Sequence, residues 1–177
     1  MCPEPENCLE AGWIATLTTA PEIAETMPEP EIRRVASGAT LADAQAVRRA
    51  VFVEGQDVPE AQEMDGKDEA ASHFVAYDGD RPVGTARLRE PTPGVAKLER
   101  VAVRRPYRGR GLGRRLVRAV EDLAREAGMD EAVLHAQTRL VDFYANLGYR
   151  RTGDEFEEAG IPHVEMRKAL VRDSWTC

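Results

Sequence analysis

The sequence predicts an α/β domain (α+β mixed), in which helices lie on the faces of a mixed β-sheet. Three observations support this fold class. The chain has 177 residues, enough for one domain with a sizeable core. Two strand-like segments near residue 80 flank a short turn and so form a hairpin. Beyond the hairpin, helical and strand-like segments alternate, which is typical of helices packed on a sheet.

The first predicted elements are a helix and a hairpin. The helix begins at Thr40, whose side chain can cap it, and residues 54–71 form a polar loop or short irregular helix. The apolar residues that recur at helical spacing are Leu41, Ala44, Val47 and Val51. The hairpin strands are residues 73–77 and 82–89.

The remaining predicted elements alternate between strand and helix. A break at residues 91–94 separates them from the hairpin, and Gly128 and Gly148 end the two helices. In chain order they are a strand at 95–103, a helix at 112–127, a strand at 132–136, a short helix at 140–147 and a strand at 164–170. Together these elements give the mixed sheet of the predicted domain.

The charge of the chain is segregated. The net charge is −7, yet residues 96–125 hold ten bases and three acids, and residues 1–31 hold seven acids and no base. Overall acidity argues against nucleic acid and other large polyanions as partners. The basic segment is instead compatible with one small polyanion.

The two ends of the chain are expected to lie outside the folded domain. Residues 1–30 form an acidic extension with five of the 11 prolines and are expected to be mostly disordered, although the patch 13–17 could dock on the domain or on a partner. Residues 31–172 form the domain, and 173–177 form a C-terminal tail.

The cysteines and the hydropathy bear on the compartment. The three cysteines, Cys2, Cys8 and Cys177, include no CxxC pair, which argues against a disulfide framework or zinc site and favours a reducing cytoplasm. No apolar run is long enough to span a membrane, and the first residues do not resemble a secretory signal.

The sharpest motif is Arg108-Gly109-Arg110-Gly111-Leu112-Gly113, between a predicted strand and a predicted helix. Glycines expose successive backbone N–H groups, and a helix start adds partial positive charge, so the segment can bind a phosphate. Nearby Arg114 and Arg115 would strengthen the site. The Walker A pattern is absent, and Arg114 breaks the Rossmann spacing. The alternative is a plain turn with solvated arginines.

The context of this motif resembles the GNAT superfamily of acyl-CoA N-acyltransferases. The strand 98–103 followed by Arg108-x-x-Gly111-x-Gly113 is similar to the family's acetyl-CoA motif, and the blocks 135–137 and 143–149 are similar to the motif that follows it. The resemblance spans residues 31–170.

Further segments resemble the ElaA/YjcF-type branch of that family. They are residues 51–53, residues 56–59 with Asp65, residues 134–137 and residues 156–163. One departure is visible, because the branch tends to have Glu just before the Gln, whereas this chain has Glu54-Gly55-Gln56.

The resemblance implies the GNAT fold, a mostly antiparallel twisted sheet with helices on both faces. It also implies an acetyl-CoA-dependent N-acetyltransferase. Acetyl-CoA would be a co-substrate, and a primary amine of unknown identity would attack its thioester directly. Such a reaction needs no metal and no covalent enzyme intermediate. No nucleic acid or membrane partner is expected, and a homodimer is a candidate assembly because relatives often dimerise.

The resemblance also assigns the cofactor-binding residues. The pyrophosphate would lie on the loop and helix start, and the pantetheine arm would pair with a strand edge, where the Val101 N–H could polarise the thioester carbonyl. Gln137 occupies a slot near the cofactor and could instead bond only backbone. The residues assigned to acetyl-CoA are Val101, Ala102, Val103, Arg108, Gly109, Arg110, Gly111, Leu112, Gly113, Arg114 and Gln137.

Three residues are candidates for the chemistry itself. Tyr144 matches the family's general acid toward the CoA sulfur, with helix packing as the alternative. Glu99 could take the amine proton or could be a surface or ion-paired residue. His163 would lie near the acceptor pocket, as a base, a substrate ligand or a structural histidine. The acids of residues 154–158 could attract a cationic amine or form a solvated loop.

Two further function classes remain open from the sequence. A non-catalytic acyl-CoA-binding or regulatory module would bind the cofactor without turnover. A nucleic-acid-binding protein would use the arginine-rich segment, but overall acidity and the lack of interleaved aromatics weigh against it.

Overall fold

The computed structural model describes residues 28–35 and 39–170. The prediction of disorder for residues 1–30 falls mainly on 1–27, outside this part of the chain, as does the C-terminal tail at 173–177. The described residues hold the elements predicted for residues 40–170.

Seven strands form one mixed sheet in the order β1-β2-β3-β4-β5-β7-β6. Neighbouring strands are antiparallel except β4 and β5, which are parallel. The strands are β1 (Glu31–Val35), β2 (Ser72–Asp78), β3 (Arg81–Thr92), β4 (Val95–Val103), β5 (Glu131–Gln137), β6 (Arg150–Glu158) and β7 (Ile161–Ala169). The prediction of a mixed, mostly antiparallel sheet is confirmed.

Helices pack on both faces of this sheet, as predicted. They are α1 (Ala39–Arg48), which continues through a π-helical turn (Arg49–Val53) into α2 (Glu54–Gln56), then α3 (Glu60–Glu63), α4 (Leu112–Glu126) and α5 (Val141–Ala145). Alternate residues of β2 show the two faces, since successive strand side chains point to opposite sides. Phe74 and Ala76 belong to the large core that includes α4, whereas Val75 and Tyr77 pack with Ala44 of α1.

The large core lies between the sheet and α4. The α4 side chains buried there are Leu112, Leu116, Val117, Val120 and Ala124. Ala127, the last residue of the predicted helix, is exposed just beyond the end of α4. Gly84 of β3 lets α4 approach closely, because a Cβ there would lie 3.0 Å from Leu116 Cδ1.

The structure differs from the sequence-based expectation at two strands and one helix. β1 and β6 were not predicted, and the acids of 154–158 lie in β6 rather than in a loop. Both strands are sheet edges, and β6 is exposed along its whole length, so it lacks the apolar alternation by which strands are recognised. The first helix already includes Ala39, so Thr40 lies inside it and is not its N-cap.

None of the helices in residues 28–35 and 39–170 is long and apolar enough to cross a membrane.

Candidate active site

The centre of the sheet opens where β4 and β5 separate. Their parallel pairing covers four residue pairs and ends at Leu98 and Leu134. Beyond that point β4 continues to Val103 with β3 on one side only. Strand β4 changes direction at Arg100. The backbone of Arg100 has a φ of 54°, and the β3–β4 register shifts beside it. A β-bulge of this kind bends a strand locally.

A cavity of about 550 Å³ occupies this opening. It runs from the glycine-rich loop, along the free edge of β4, to the start of β7. The predicted site residues that line it are Glu99, Val101, Ala102, Val103, Arg108, Gly109, Gly111, Leu112, Gly113, Arg114, Gln137, Tyr144 and His163. Arg110 is the exception, since it is exposed and lies outside the lining. The fold therefore brings together residues that are up to 64 positions apart.

The backbone of β4 presents alternate residues to the opening. The Arg104 N–H donates to the Val83 carbonyl at 2.8 Å, so it faces β3. Because backbone groups of successive strand residues point to opposite edges, Ala102 also faces β3, while Val101 and Val103 face the opening. The Val103 carbonyl already accepts a hydrogen bond of 2.9 Å from Arg108 Nε. Of the three residues expected to pair with the pantetheine arm, this alternation favours Val101 and Val103 over Ala102.

The glycine-rich loop leads directly into α4. Gly109 and Gly111 have φ values of 76° and 78°, a backbone conformation that side chains with a Cβ rarely adopt. Gly111 caps the helix, and its carbonyl accepts the Arg115 N–H at 3.1 Å. The N–H groups of the first turn of a helix have no partner within the helix, so they can bind an anion.

Two arginines near this loop are engaged elsewhere. Arg115 donates to the Pro30 carbonyl at 2.9 Å and lies 3.3 Å from the Glu29 carboxylate, so it ties the start of α4 to the segment before β1. Arg108 uses its Nε on β4, which leaves its terminal nitrogens for another partner. Arg114 lines the cavity at the helix start.

Tyr144 of α5 forms one wall of the cavity. Its ring is buried and lies edge-on to Phe143, with centroids 4.9 Å apart, and to Tyr149, with centroids 5.9 Å apart. Burial raises the pKa of the Tyr144 phenol above its ordinary value, so the group is protonated at neutral pH. No hydrogen-bond partner for its hydroxyl is found within residues 28–35 and 39–170. The Tyr144 ring therefore packs against its neighbours, which was the alternative to an acid role. Its hydroxyl is also available to donate a proton.

Glu99 of β4 is held by cations. Its two oxygens accept hydrogen bonds of 2.7 and 2.8 Å from Arg89, and Arg87 Nη2 lies 2.8 Å from it. Burial by itself would raise the pKa of Glu99, but the Arg89 hydrogen bonds and the charges of Arg87, Arg89 and Lys97 lower it to about 2. A carboxylate so strongly stabilised is a poor proton acceptor near neutral pH. The geometry favours the ion-paired alternative over the base.

Glu99 belongs to a buried ion-pair cluster that the sequence did not reveal. The guanidinium of Arg48, fully buried, contacts Glu63 at 2.6 Å and Asp68 at 2.7 Å. Arg87, 1% exposed, contacts Asp65 at 2.7 Å and Asp68 at 2.8 Å as well as Glu99. The residues of this ion-pair cluster come from α1, α3, β3, β4 and the segment after α3. The sequence held one signal of the cluster: Arg48 and Arg87 each lie within an otherwise apolar pattern, helical for Arg48 and strand-like for Arg87.

Gln137 connects β5 to the segment after α1. Its Nε2 donates to Gln56 Oε1 at 2.7 Å, and its Oε1 accepts two hydrogen bonds from Arg139, at 3.0 and 2.8 Å. Gln137 therefore bonds side chains rather than backbone. Gln56 also lines the cavity, and it stands in the segment where this chain departs from the branch pattern at Gly55.

Two histidines lie at the other end of the cavity, around Phe156. His163 Nδ1 is 2.8 Å from the Ile161 carbonyl, and its ring stacks on Phe156 with centroids 6.1 Å apart. His135 Nδ1 is 3.0 Å from the Glu158 carboxylate, and its ring meets Phe156 edge-on at 4.9 Å. Both histidines and Glu158 line the cavity. The sequence analysis did not assign His135 to the site, so its place in the cavity wall was missed.

Comparison with known proteins agrees with this geometry. Residues 38–170 match the family model of the acetyltransferase (GNAT) domain. The chain belongs to the GNAT acetyltransferase family. Two relatives from Bacillus subtilis are YyaT, 42% identical over 80% of this chain and 97% of that protein, and the N-acetyltransferase YjcF, 43% identical over 72% and 91%. Escherichia coli ElaA has a similar structure, with a TM-score of 0.70 at 26% identity over 78% of this chain and 99% of ElaA.

Membership in the GNAT family confirms the predicted fold, the predicted likeness to YjcF and ElaA, and the prediction of an N-acetyltransferase. Within the described residues of this GNAT domain, no group of three or more histidine, cysteine or acidic side chains is placed to hold a metal ion.

Proposed function

We propose that this GNAT enzyme transfers the acetyl group of acetyl-CoA to a primary amine, which attacks the thioester directly. The observation that carries the proposal is the separation of β4 from β5. It places a backbone edge, a glycine-capped helix start and a protonated phenol around one cavity. Each of these three parts has a separate task in acyl transfer.

The start of α4 suits the CoA pyrophosphate. Backbone N–H groups of Leu112, Gly113 and Arg114 lie at the positive end of a 15-residue helix. Gly113 leaves room beside them, since a Cβ at this position would meet nothing closer than 3.5 Å, at Phe143. The terminal nitrogens of Arg108, which have no hydrogen-bond partner in the described part of the chain, can add charge. Arg110 is exposed outside the lining, so we give it no role in this site.

The free edge of β4 suits the pantetheine arm and the thioester. The outward-facing groups of Val101 and Val103 can pair with its amides as an added strand would. The Val101 N–H, just past the bulge at Arg100, can then donate to the carbonyl oxygen of the thioester. A donor in that position stabilises the negative charge that develops as the amine attacks.

Tyr144 suits the role of acid. As the C–S bond breaks, the departing thiolate takes the phenolic proton. The tyrosinate left behind is buried and unfavourable, so it recovers a proton from the nitrogen of the newly formed adduct. The enzyme itself forms no covalent bond in this scheme.

The test is acetyl-CoA-dependent thiol release over a panel of primary amines. We expect saturable release by the natural chain with at least one amine. Tyr144→Phe should lower kcat by about 100-fold or more, with acetyl-CoA affinity unchanged, because a general acid contributes at least that much. Tyr149→Phe is the matched control, since Tyr149 packs against Tyr144 without lining the cavity, and it should retain kcat.

The outcomes separate the proposal from its rival. Tight acetyl-CoA binding with no turnover across the panel would favour a non-catalytic acyl-CoA-binding module. Absence of acetyl-CoA binding would remove both. Equal kcat for Tyr144→Phe and the natural chain would remove Tyr144 as the acid while leaving the transfer reaction in place.

A further inference from the structure

We propose that His163 Nε2 is the base that takes the proton of the acceptor ammonium. This inference rests on the proposed acetyl transfer and deepens it. It assigns the role of general base, for which Glu99 was the earlier candidate, to His163. It follows from the hydrogen bonding of the imidazole, from its setting in the cavity, and from the state of the competing bases.

The hydrogen bonding of His163 fixes where its proton sits. Nδ1 lies 2.8 Å from the Ile161 carbonyl oxygen, which can only accept, so Nδ1 carries the hydrogen. A neutral imidazole has one N–H, and Nε2 therefore holds an unprotonated lone pair. Within the described part of the chain, no residue is hydrogen-bonded to Nε2. A general base needs an unprotonated lone pair of this kind before it can take a proton from the substrate.

The setting of His163 holds the ring rigidly beside the site. The residue is 9% exposed, its ring stacks on Phe156 with an interplanar angle of 26°, and its strand pairs it with Gln137. The same cavity is lined by Val101 and Tyr144, the proposed oxyanion donor and acid. A packed side chain of this kind keeps its geometry through a reaction cycle better than an exposed one.

Glu99 and His135 are the competing bases, and each is occupied. Glu99 is hydrogen-bonded to Arg89 and ion-paired with Arg87. His135 Nδ1 donates to the Glu158 carboxylate, and its side chain is 29% exposed. His163 Nδ1 instead donates to a neutral backbone carbonyl, which fixes the tautomer.

The charged groups around His163 come from each element that borders its end of the cavity. They are Glu63 of α3, Glu99 and Arg100 of β4, His135 of β5, Arg139 after β5 and Glu158 of β6. Five of them are hydrogen-bonded or ion-paired with one another or with the buried cluster, and Arg139 is hydrogen-bonded to Gln137. The pKa of Glu158 is lowered, first by its hydrogen bond to His135 and to a smaller degree by the charge that His163 carries once it has taken a proton.

The proton balance of the step is complete. Nε2 takes one proton from R–NH₃⁺, and the free amine forms a C–N bond to the thioester carbon. The C–S bond then breaks, and its electron pair leaves on sulfur, which takes the Tyr144 proton. The adduct nitrogen returns a proton to Tyr144, and His163 later releases its own to water. The net products are an amide, CoA thiol and one proton.

The test compares His163→Asn with His135→Asn, using the best acceptor of the amine panel. An asparagine amide can keep the hydrogen bond to the Ile161 carbonyl but cannot take a proton. We expect His163→Asn to lower kcat/KM for the amine by about 100-fold or more. It should also lose the acidic limb of the pH–rate profile, because the amide that replaces the imidazole has no site to protonate. The dissociation constant for acetyl-CoA should not change.

Two controls make the result decisive. The first control repeats the pH–rate profile with a less basic amine. A limb due to the acceptor ammonium then shifts to lower pH, whereas a limb due to His163 stays at the same pH. Imidazole added to His163→Ala should restore part of the rate, and a purely structural histidine would not be rescued in this way.

Two results would overturn the assignment. The first is a natural pH profile and rate in His163→Asn, and the second is loss of the limb in His135→Asn alone. Either result leaves the transfer reaction standing, because the natural chain still turns over. Failure of the natural chain to acetylate any amine would instead remove the proposed function and this inference together.

Discussion

At the residue scale, Arg48 and Arg87 stand out because they are charged and almost fully buried beneath the active site. Burying an ion is unfavourable unless partners compensate it, and both arginines contact two or more carboxylates. The cluster joins α1 and α3 to β3 and β4, next to the bulge at Arg100. It therefore couples the stability of the domain to the shape of the cavity wall.

Arg48 and its neighbour Arg49 allow a matched test of this burial. Arg48→Ala leaves Glu63 and Asp68 short of a partner in the interior, and we expect it to lower the free energy of unfolding by about 3–5 kcal/mol. Arg49 pairs with Glu60 at the surface, with the two side chains 46% and 55% exposed, so Arg49→Ala should change stability by less than about 1 kcal/mol. Urea denaturation measures both, and equal losses would contradict the role of the cluster.

Glu99 gives the cluster a definite pH dependence. Its pKa is about 2 in the folded protein and ordinarily 4.5, so the unfolded chain binds the proton more readily. The stabilisation is therefore present above pH 4.5 and is lost as the pH falls toward 2. It amounts to about 3 kcal/mol. We expect the stability difference between the natural chain and Glu99→Gln to shrink between pH 6 and pH 3.

Denaturation curves at several pH values would measure this change. Glu60→Gln is the control, because Glu60 is exposed and lies outside the cluster. A difference between the natural chain and Glu99→Gln that stays constant over the same range would show that Glu99 is not held as a carboxylate by its arginines.

At the element scale, the loop before α4 depends on a backbone conformation more than on side chains. Gly111 has a φ of 78°, and a Cβ there would meet nothing within 4 Å. The effect of a substitution is therefore conformational strain in the loop rather than a clash. Because the same residue caps α4, the strain falls on the N–H groups proposed to bind pyrophosphate.

Gly111→Ala and Gly79→Ala separate strain from binding. Both positions have positive φ and open surroundings, but Gly79 lies in the turn between β2 and β3. Each variant should lose about 1 kcal/mol of stability. Only Gly111→Ala should raise KM for acetyl-CoA, which steady-state kinetics would show. An equal KM in both variants would place the CoA phosphates elsewhere.

Local patterns predicted the central elements well and the edges poorly. The strand at 95–103 and the helix from Leu112 have strong apolar periodicity and clear end signals, and both were located within a residue. β6 is exposed throughout, so no periodicity marked it. Tyr144 and the glycine-rich loop could be singled out from the sequence because each lies in a short block of consecutive residues that resembles a family motif. Glu99 is held by an arginine of the neighbouring strand β3, and His163 by a backbone carbonyl of its own strand. No sequence pattern marks either contact, so the state of both side chains required the fold.

At the scale of the whole molecule, the sheet consists of two parts joined by a short ladder. β1 to β4 form one part and β5 to β7 the other, and four residue pairs connect them. A ligand that lies between the parts adds contacts that the unliganded fold lacks. Binding to the folded state alone raises stability, by about 2.7 kcal/mol at 100 times the dissociation constant.

Hydrogen exchange can localise this stabilisation. We expect acetyl-CoA to slow amide exchange in residues 99–103 and at the start of α4, because ligand groups would pair with those amides. Exchange in β2 is the internal control and should change little, since both of its edges are already paired. Uniform slowing across all strands would indicate general stabilisation without a ligand strand between β4 and β5.

The free edge of β4 also has an evolutionary consequence. The proposed contacts with the donor are made largely by backbone groups, and a backbone group survives most substitutions of its own side chain. The opposite end of the cavity is formed by side chains such as His135, Glu158 and Ile161, which a single mutation can replace. We therefore expect point mutations to change the preferred acceptor more readily than the donor.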